Sequence, residues 1–367
     1  MNLRTSVIMS WAVIAPVLAA EPLLTIEPSP QYPRHSEGDV IEFQDGRLVL
    51  IYTRFTGGAQ DHAQADIVLR TADAAGKTWD EGRVLIPRAG ADNVMSVSTV
   101  QLPGGEWLLF YLERRGWDNL HMFVRRTSDE FRTLSEPVRV TVVDGYHVVN
   151  NDRVIRTSAG RLIVPAALHP CSDGTRQTWS PKATPVAFLS DDEGRTWRRA
   201  AETVPPPADL SVVLQEPGVV ELKDGRICMW LRTSTDRQYV SFSVDGGEHW
   251  STPEPGPLIS AQYSPASIRR IAWSGDLVCV WNDHSAVADR PSRLRTPLAV
   301  SISRDDGRTW SPARIIENDP DGWYCYTSIS FIGDRMILSY CAGDKRIGGL
   351  NRLRVTACSR DWLESIR

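Results

Sequence analysis

The sequence predicts an all-β protein built from a repeated unit, and a recurring hairpin is the first observation that predicts it. Short apolar runs joined by a glycine turn, the pattern of a β-hairpin, occur six times along the chain. Successive turn glycines lie 50 to 65 residues apart, which leaves room for about four strands in each unit. The six glycines are Gly46, Gly105, Gly160, Gly225, Gly275 and Gly333.

A second repeated motif, S-x-D-x-G-x-[TH]-W, predicts a stiff turn within most of these units. Its aspartate can accept hydrogen bonds from backbone N–H groups of the same turn, its glycine takes a positive φ, and its tryptophan packs beneath. Three complete copies begin at Ser190, Ser243 and Ser303. A fourth copy with one extra residue spans residues 71–79, and a degenerate fifth spans residues 127–134.

The composition is that of a globular protein and excludes some classes of partner. The 367 residues are 42% hydrophobic and 23% charged, which is enough chain for one large domain or two ordinary ones. The formal net charge is −4, so binding to nucleic acid by phosphate neutralisation is disfavoured. Beyond the N terminus, no apolar stretch approaches the length of a membrane span. We therefore expect neither a nucleic-acid partner nor a membrane span.

Residues 1–20 are predicted to be an export signal. Arg4 supplies a positive start, residues 7–18 are mostly apolar, and residues 17–20 offer small side chains for cleavage. The alternative is an ordinary apolar N-terminal element. The prediction places the mature protein, residues 21–367, outside the cytoplasm, either secreted or periplasmic.

The cysteines and histidines show no pattern of a metal or cofactor site. No C-x-x-C pair occurs, and most cysteines lie in apolar runs, where cysteine behaves as a small hydrophobe. In an oxidising compartment, a bridge between Cys341 and Cys358 is an alternative. The seven histidines are dispersed, and no D-x-D-x-D-G calcium loop, H-E-x-x-H, G-x-S-x-G or phosphate-binding loop occurs. We expect no metal and no cofactor.

Together the hairpins and turn motifs resemble the Asp-box, or BNR, repeats of the sialidase superfamily, over essentially all of residues 21–367. The resemblance implies a six-bladed β-propeller of four-stranded antiparallel blades, with structural Asp boxes at the blade periphery. The last unit contains three evident strands, near residues 323–331, 335–341 and 352–358. Residues 23–26 are therefore expected to supply its outer strand and close the ring. Two separate β-domains are the alternative, and no linker supports them.

The same resemblance implies three arginines that bind the carboxylate of an acidic sugar, since guanidinium forms bidentate pairs with carboxylate. The segment from Glu216 to Arg232 resembles the family's hairpin that opens with a glutamate and ends with an arginine. Arg295 lies eight residues before an Asp-box serine, as the third arginine of the family does. Arg34 matches the first arginine, although residues 32–37 depart from the family's aromatic-Arg-Ile-Pro motif.

The resemblance also implies a tyrosine nucleophile with a carboxylate base. Tyr326 begins a segment similar to the family's Y-S-x-L element, and Glu216 matches the base beside it. A neutral phenol avoids the repulsion that a carboxylate would meet at an anionic sugar. It needs a base because its ordinary pKa is near 10. Such a tyrosine is a known exception to the use of two carboxylates in retaining glycosidases.

Asp61 matches the place of the family's general acid. It follows the flexible pair Gly57 and Gly58, and it precedes an apolar strand. Asp66 is the competing carboxylate, but it begins that strand and is expected to be structural.

A polar segment at residues 146–153 is not explained by the resemblance. Asn151 lies nine residues before Gly160, as Glu216 lies nine before Gly225, so its side chain is expected to point into the central funnel. The alternative is a solvated turn. By the same spacing Glu37 also faces the funnel, and further residues predicted to contact the substrate are Arg54, His147 and Arg153.

The sequence therefore predicts a retaining exo-glycosidase of sialidase type that releases a terminal sialic or related nonulosonic acid from a glycan. One alternative is a hydrolase or lyase of the same fold acting on another acidic sugar, such as a uronic acid. The other is a non-catalytic glycan-binding propeller. A base beside a phenol favours an enzyme, whereas the altered first motif and residues 146–153 favour a different sugar.

Overall fold

The computed structural model describes residues 20–287 and 294–366, and these are almost entirely β-sheet. Residues 1–19, which hold most of the predicted export signal, lie outside the described residues. Within the described part of the chain, no helix is long and apolar enough to cross a membrane.

The first half of the chain forms one four-stranded sheet and one larger sheet. The chain starts with β1 (Glu21–Ile26), which joins a later sheet. The four-stranded sheet contains, in chain order, β2 (Arg34–Glu42), β3 (Leu48–Phe55), β4 (Ala65–Ala72) and β5 (Arg83–Ile86). The larger sheet begins with β6 (Asn93–Gln101), β7 (Trp107–Arg114), β8 (Leu120–Thr127) and β9 (Val138–Arg139). It continues with β10 (Tyr146–Val148), β11 (Ile155–Arg156), β12 (Leu162–His169), β13 (Thr184–Ser190) and β14 (Arg198–Arg199).

The larger sheet joins two repeat units because β10 pairs with strands of both. It is antiparallel to β12, and a single residue pair, Tyr146 with Leu120, places it parallel to β8. The first strand of the third unit is therefore divided into β10 and β11, which both pair with β12.

The second half of the chain forms three sheets of four antiparallel strands. The first contains β15 (Leu214–Glu221), β16 (Ile227–Thr233), β17 (Arg237–Ser243) and β18 (Glu254–Ile259). The next contains β19 (Ser267–Arg270), β20 (Leu277–Asn282), β21 (Leu298–Ser303) and β22 (Arg314–Glu317). The last contains β23 (Gly322–Ile332), β24 (Arg335–Asp344) and β25 (Leu353–Ser359), and the helix α1 (Arg360–Glu364) follows it.

The fourth strand of the last sheet is the N-terminal strand β1, in the order β1-β25-β24-β23. Ile26 pairs with Leu353, and Glu21 pairs with Ala357 at the other end of the strand. The sequence predicts this pairing from the missing fourth strand of the last unit.

The core lies between consecutive sheets. Each of six large apolar clusters is shared by two neighbouring units, and one of them joins the last unit to the first. In that cluster Val40 and Leu50 pack with Ile337 and Val355. Four-stranded antiparallel sheets packed in this way are consistent with the propeller that the sequence resemblance implies.

The Asp boxes are hydrogen-bonded turns, and their carboxylates are used within the turn. Asp192 accepts from the hydroxyl of Ser190 at 2.8 Å and from the backbone N–H of Thr196 at 2.9 Å. The indole of Trp197 donates to the carbonyl of Gly194, which has a φ of 81°. Carboxylates that accept from their own turn also occur at Asp73, Asp129, Asp245 and Asp305.

All six cysteines are free thiols. Cys341 and Cys358 lie on the neighbouring strands β24 and β25, but Cys341 is opposite Leu353 and Cys358 is opposite Met336. The two sulfurs are thus several positions apart along the strands, so the alternative of a disulfide between them is wrong.

Candidate active site

Four first strands of the repeat units carry a β-bulge, and the bulged side chains line one cavity. The bulged residues have positive φ angles, 54° at Glu37, 59° at Ser96, 42° at Glu216 and 54° at Tyr326. The strand register shifts at each of them. A bulge turns a side chain out of the regular alternation, and a positive φ is uncommon for a non-glycine residue within a strand.

The residues after Glu216 explain how the chain accommodates its bulge. Pro217 has no N–H to donate, and β-ladders tolerate proline at bulges. Gly218 has no room for a side chain, since an added Cβ would lie 2.1 Å from the ring of Trp230. The indole of Trp230 is itself fixed by a hydrogen bond of 3.0 Å to the carbonyl of Ala266.

The cavity has a volume of about 940 Å³, which is large enough for a sugar and part of its neighbour. One wall is apolar and aromatic, with Met95, Leu112, Trp117, Tyr146 and Trp179. Much of the remaining lining is charged. It brings together seven of the predicted residues, namely Arg34, Glu37, Asp61, Glu216, Arg232, Arg295 and Tyr326.

Arg34 is almost completely buried and is held between two carboxylates. Its Nη1 donates to Oδ1 of Asp61 at 2.5 Å, and its Nη2 donates to Oε1 of Glu37 at 3.2 Å. Its guanidinium also lies over the ring of Phe55, at 4.3 Å. The other carboxylate oxygen of Glu37 accepts from the hydroxyl of Ser96 at 2.6 Å. Arg34 is thus oriented by partners from three strands or loops.

Glu216 lies between an arginine, an amide and a phenol. Nη1 of Arg232 donates to its Oε1, and Nδ2 of Asn150 donates to its Oε2 at 3.0 Å. The hydroxyl of Tyr326 donates to the same Oε1 at 3.4 Å. This last distance is slightly longer than an ordinary O–H···O hydrogen bond, as is common for catalytic pairs without a ligand.

Arg295 completes the group of three arginines. It precedes β21, and its Nη2 donates to the carbonyl of Tyr263 at 3.1 Å. Its Nη1 donates to the sulfur of Cys325 at 2.8 Å. Its guanidinium lies 5.2 Å from the ring centre of Tyr326, so it flanks the proposed nucleophile.

The electrostatics set Glu216 and Tyr326 in opposite protonation states. Burial raises the pKa of Glu216. The charges of Arg232 and Arg295 and the hydrogen bonds from Arg232 and Asn150 lower it by more, so its pKa lies below the ordinary value. Burial raises the pKa of Tyr326, and the negative charge of Glu216 raises it more. At neutral pH the pair is therefore a carboxylate beside a neutral phenol, which is the arrangement of a base and its proton donor.

Asp61 lies at the cavity mouth with 72% of its side chain exposed. Desolvation in the cavity raises its pKa, but the attraction of Arg34 outweighs this, and the pKa of Asp61 is lowered. Its backbone carbonyl accepts from the amide of Asn93 at 2.7 Å, which ties the loop to β6. The competing residue Asp66 instead accepts from the backbone N–H of Arg88, as expected of a structural carboxylate.

Four predicted substrate-binding residues do not line the cavity. His147 packs against the rings of His121 and Phe188. Asn151 donates to the carbonyls of Gly38 and Tyr326, and Arg153 donates to the carbonyl of Ala266. Arg54 lies over the ring of Tyr32, at 4.2 Å.

The spacing argument places the bulge of the third unit one residue too early. The positive φ, 56°, belongs to Asp152 and not to Asn151. Asp152 pairs with Arg269 and accepts from the backbone N–H of Ile329, away from the cavity. Because β10 and β11 divide this strand, the distance to Gly160 does not follow that of the other units.

Two cavity residues that hydrogen-bond the predicted carboxylates were missed in the sequence. Ser96 lies nine residues before Gly105, the same spacing as for Glu37 and Glu216, so a strict use of that spacing would have found it. Asn150 has no such signal, since its role depends on the approach of β15 to the loop after β10. Among the described residues, no group of three or more His, Cys, Asp or Glu side chains is arranged to hold a metal ion.

The repeated antiparallel sheets and their Asp-box turns agree with a protein built from BNR repeats. The chain belongs to the family described as BNR repeat-like domain, whose sequence profile matches residues 46–338. In a comparison with curated proteins, the sequence matched none of them.

Solved structures with a similar fold include sialidases and a protein of unknown function. The latter, from Dyadobacter fermentans, superposes with a TM-score of 0.71 at 17% identity, over 93% of this chain and 100% of that one. Trypanosoma rangeli sialidase has a TM-score of 0.68 at 15% identity. That structure is a complex with 2,3-difluorosialic acid and is described as a covalent intermediate. That match covers 90% of this chain and 55% of the other. The intramolecular trans-sialidase of Ruminococcus gnavus, in complex with oseltamivir carboxylate, has a TM-score of 0.69 at 13% identity. That match covers 94% of this chain and 98% of the other. At these identities the likeness concerns the fold.

Proposed function

We propose that the protein is a retaining exo-glycosidase that releases a terminal sialic or related nonulosonic acid from a glycan. The observation that carries this proposal is the meeting of three arginines with the Tyr326–Glu216 pair in one cavity. The sialidases among the similar structures support it through the shared fold.

The arginines define the kind of substrate. Arg34, Arg232 and Arg295 all line the cavity, so the carboxylate of a bound sugar could pair with them, and a planar guanidinium suits a carboxylate better than an ammonium does. The aromatic wall then lies beside the rest of the sugar, where apolar ring faces can pack.

The tyrosine and glutamate carry the first chemical step of the proposed reaction. As Oη of Tyr326 attacks the anomeric carbon, its proton passes to Oε1 of Glu216, and the bond to the leaving oxygen breaks. Asp61 protonates that oxygen. The product of this step is a sugar bound covalently to Tyr326.

Water completes the proposed reaction from the face of the sugar that the leaving oxygen occupied, opposite Tyr326. Asp61, now ionised, takes a proton from the water as it attacks the anomeric carbon. The bond between the anomeric carbon and Oη of Tyr326 breaks as Glu216 returns its proton to Oη, so the enzyme is regenerated and the configuration is retained.

Substrate binding changes the partner of Arg34, and this makes Asp61 suitable as an acid. Without substrate, the ion pair with Arg34 favours the ionised form of Asp61. A substrate carboxylate that pairs with Arg34 competes with Asp61 and brings a further negative charge. Both effects raise the pKa of Asp61 and favour the protonated form that a general acid needs.

The remaining expectations from the sequence belong to the same proposal. We propose that the sheets are the blades of a closed six-bladed propeller, with β1 completing the last blade, and that residues 1–20 export the protein. The apolar cluster shared by the first and last units supports closure.

A second candidate is a hydrolase or lyase of the same fold that acts on a uronic acid or another acidic sugar. The contact between Glu37 and Arg34 favours it, because a buried carboxylate beside the first arginine changes the charge offered to the substrate. Burial raises the pKa of Glu37, and this effect outweighs the lowering by Arg34 and by the hydrogen bond from Ser96.

Hydrolysis of fluorogenic glycosides separates these functions. We expect release from an α-sialoside by the wild-type protein and none by Tyr326→Phe. Hydrolysis or elimination of a uronide without any release from sialosides would support the second candidate. Binding of acidic glycans without turnover of any of them would show a glycan-binding protein.

A further inference from the structure

Two buried cysteines lie directly beneath the arginines of the cavity. Cys325 and Cys341 face each other across β23 and β24, and they are 1% and 0% exposed. Cys325 immediately precedes Tyr326, and its sulfur accepts the hydrogen bond of 2.8 Å from Nη1 of Arg295.

The three arginines differ in what holds them. Arg34 contacts two carboxylates, and Arg232 contacts the carboxylate of Glu216. Within residues 20–287 and 294–366, Arg295 forms no ion pair with a carboxylate. Its side chain donates hydrogen bonds there to the sulfur of Cys325 and the carbonyl of Tyr263, and its guanidinium lies over the rings of Trp323 and Tyr326.

We propose that Cys325 is a positioning residue for substrate binding, whose sulfur accepts from Arg295 as a thiolate and holds this arginine in place for the substrate carboxylate. This inference rests on the proposed function. It assigns to a sulfur the role that carboxylates have at the other two arginines.

The charges around the pair agree with this role. Burial raises the pKa of Cys325, but the hydrogen bond from Cys341 and the charge of Arg295 lower it to about 7. The pKa of Cys341 is raised, first by burial and then by Cys325, so this thiol keeps its proton. The other titratable or charged groups that act on the pair are Tyr326, Glu216, Arg34 and Glu37.

Binding of a carboxylate is then coupled to the protonation of Cys325. A substrate carboxylate at Arg295 competes with the thiolate for the same guanidinium and adds a negative charge nearby. Both effects raise the pKa of Cys325. We therefore expect the thiolate to take up a proton when an acidic sugar binds.

The direct test is the ultraviolet absorbance of the thiolate as a function of pH, since it requires no activity. We expect the wild-type protein to show one thiol that ionises near neutral pH, and Cys325→Ser to lack it. Cys228→Ser is the matched control. Cys228 is also buried, but it lies far from the arginines and its pKa is raised to about 12, so the neutral transition should remain.

Kinetics test the positioning role. For hydrolysis of a sialoside, we expect Cys325→Ala to raise KM about tenfold, because a charge-assisted hydrogen bond to Arg295 is lost, with a much smaller change in kcat. Cys325→Ser keeps a hydrogen-bond acceptor and should recover part of the loss. Melting temperatures of both variants show whether the fold is intact.

The absorbance and kinetic experiments together distinguish failure of this inference from failure of the proposed function. Absence of the neutral thiol transition in folded wild-type protein, or its persistence in Cys325→Ser, would overturn the inference whatever the substrate is. Unchanged KM in both cysteine variants of an active sialidase would overturn it as well. If no sialoside is hydrolysed, the proposed function fails, and the absorbance still decides whether Cys325 is the anionic partner of Arg295.

Discussion

At the residue scale, the proposed site consists of a few charged side chains that are displayed by unusual backbone. Glu37, Glu216 and Tyr326 all have positive φ angles at bulges. Such conformations cost about 1–3 kcal/mol each and persist where the surrounding structure holds them. Here the amide of Asn151 bonds the carbonyl of Tyr326, and the hydroxyl of Ser96 bonds Glu37. The strain is thus compensated by neighbouring strands, which also fix the direction of each reactive group.

The first prediction concerns the geometry that an arginine provides. Arg295→Lys keeps the positive charge but replaces the planar guanidinium with a single ammonium group. The ammonium cannot donate to both Cys325 and Tyr263 as the two guanidinium nitrogens do. We expect kcat/KM for an accepted acidic glycoside to fall about 100-fold, which corresponds to about 3 kcal/mol of transition-state binding.

Arg226→Lys is the matched control for this measurement. Arg226 lies in the turn between β15 and β16, pairs with Asp224 and does not line the cavity. Its replacement should leave kcat/KM within about twofold, since exposed ion pairs contribute little. Equal effects of the two substitutions would contradict a specific role for Arg295.

At the scale of the elements, the Asp-box turns should stabilise each sheet in a pH-dependent manner. The pKa of Asp192 is lowered to about 2; burial opposes this shift, and the hydrogen bonds from Thr196 and Ser190 outweigh it. In the unfolded chain the pKa is about 3.9. The folded carboxylate therefore contributes stability above about pH 4 and loses this contribution as the pH falls through about 2.

The second prediction follows from this loss of stability as the pH falls. Asp192→Asn should lower the free energy of unfolding by about 1 kcal/mol at neutral pH, since the side chain is only partly buried and solvent weakens its interactions. The difference from wild type should vanish near pH 2, where the native aspartate is protonated too. Thermal melts of both proteins across this pH range provide the measurement, and a difference that is independent of pH would show that the charge is not the cause.

Local elements could be predicted from the sequence because local residues determine them. The turn at Gly225 and the box at Asp192 are complete within about eight residues, and the structure forms both as expected. Asn151 shows the limit of that reasoning. Its position depends on the division between β10 and β11, which arises from pairing with β8 and β12, and no local spacing reports such contacts.

At the scale of the whole molecule, the N-terminal strand joins the ends of the chain. β1 pairs with β25, and Ile26 packs in the apolar cluster that the first and last units share. Without β1, the edge of β25 would be open to solvent, and exposed strand edges favour aggregation. The stability of the last sheet should therefore depend on residues more than 300 positions away from it in the chain.

The third prediction tests this contribution with one buried and one exposed position of β1. Ile26→Asp places a charge in the shared cluster and should cost about 3 kcal/mol, with a clear fall in melting temperature. Thr25→Asp introduces the same side chain at an exposed neighbour and should change stability by less than about 0.5 kcal/mol. Equal melting temperatures for Ile26→Asp and wild type would indicate that β1 does not hold the last sheet.

The central claim, that Tyr326 is the nucleophile of a retaining sialidase-type glycosidase, is tested most directly by trapping its covalent intermediate. The protein is incubated with 2,3-difluorosialic acid, digested and analysed by mass spectrometry. We predict one added sugar on the peptide that contains Tyr326 in the wild-type protein, and no adduct in a folded Tyr326→Phe variant. An adduct on another residue, or full sialoside hydrolysis by Tyr326→Phe, would contradict the account.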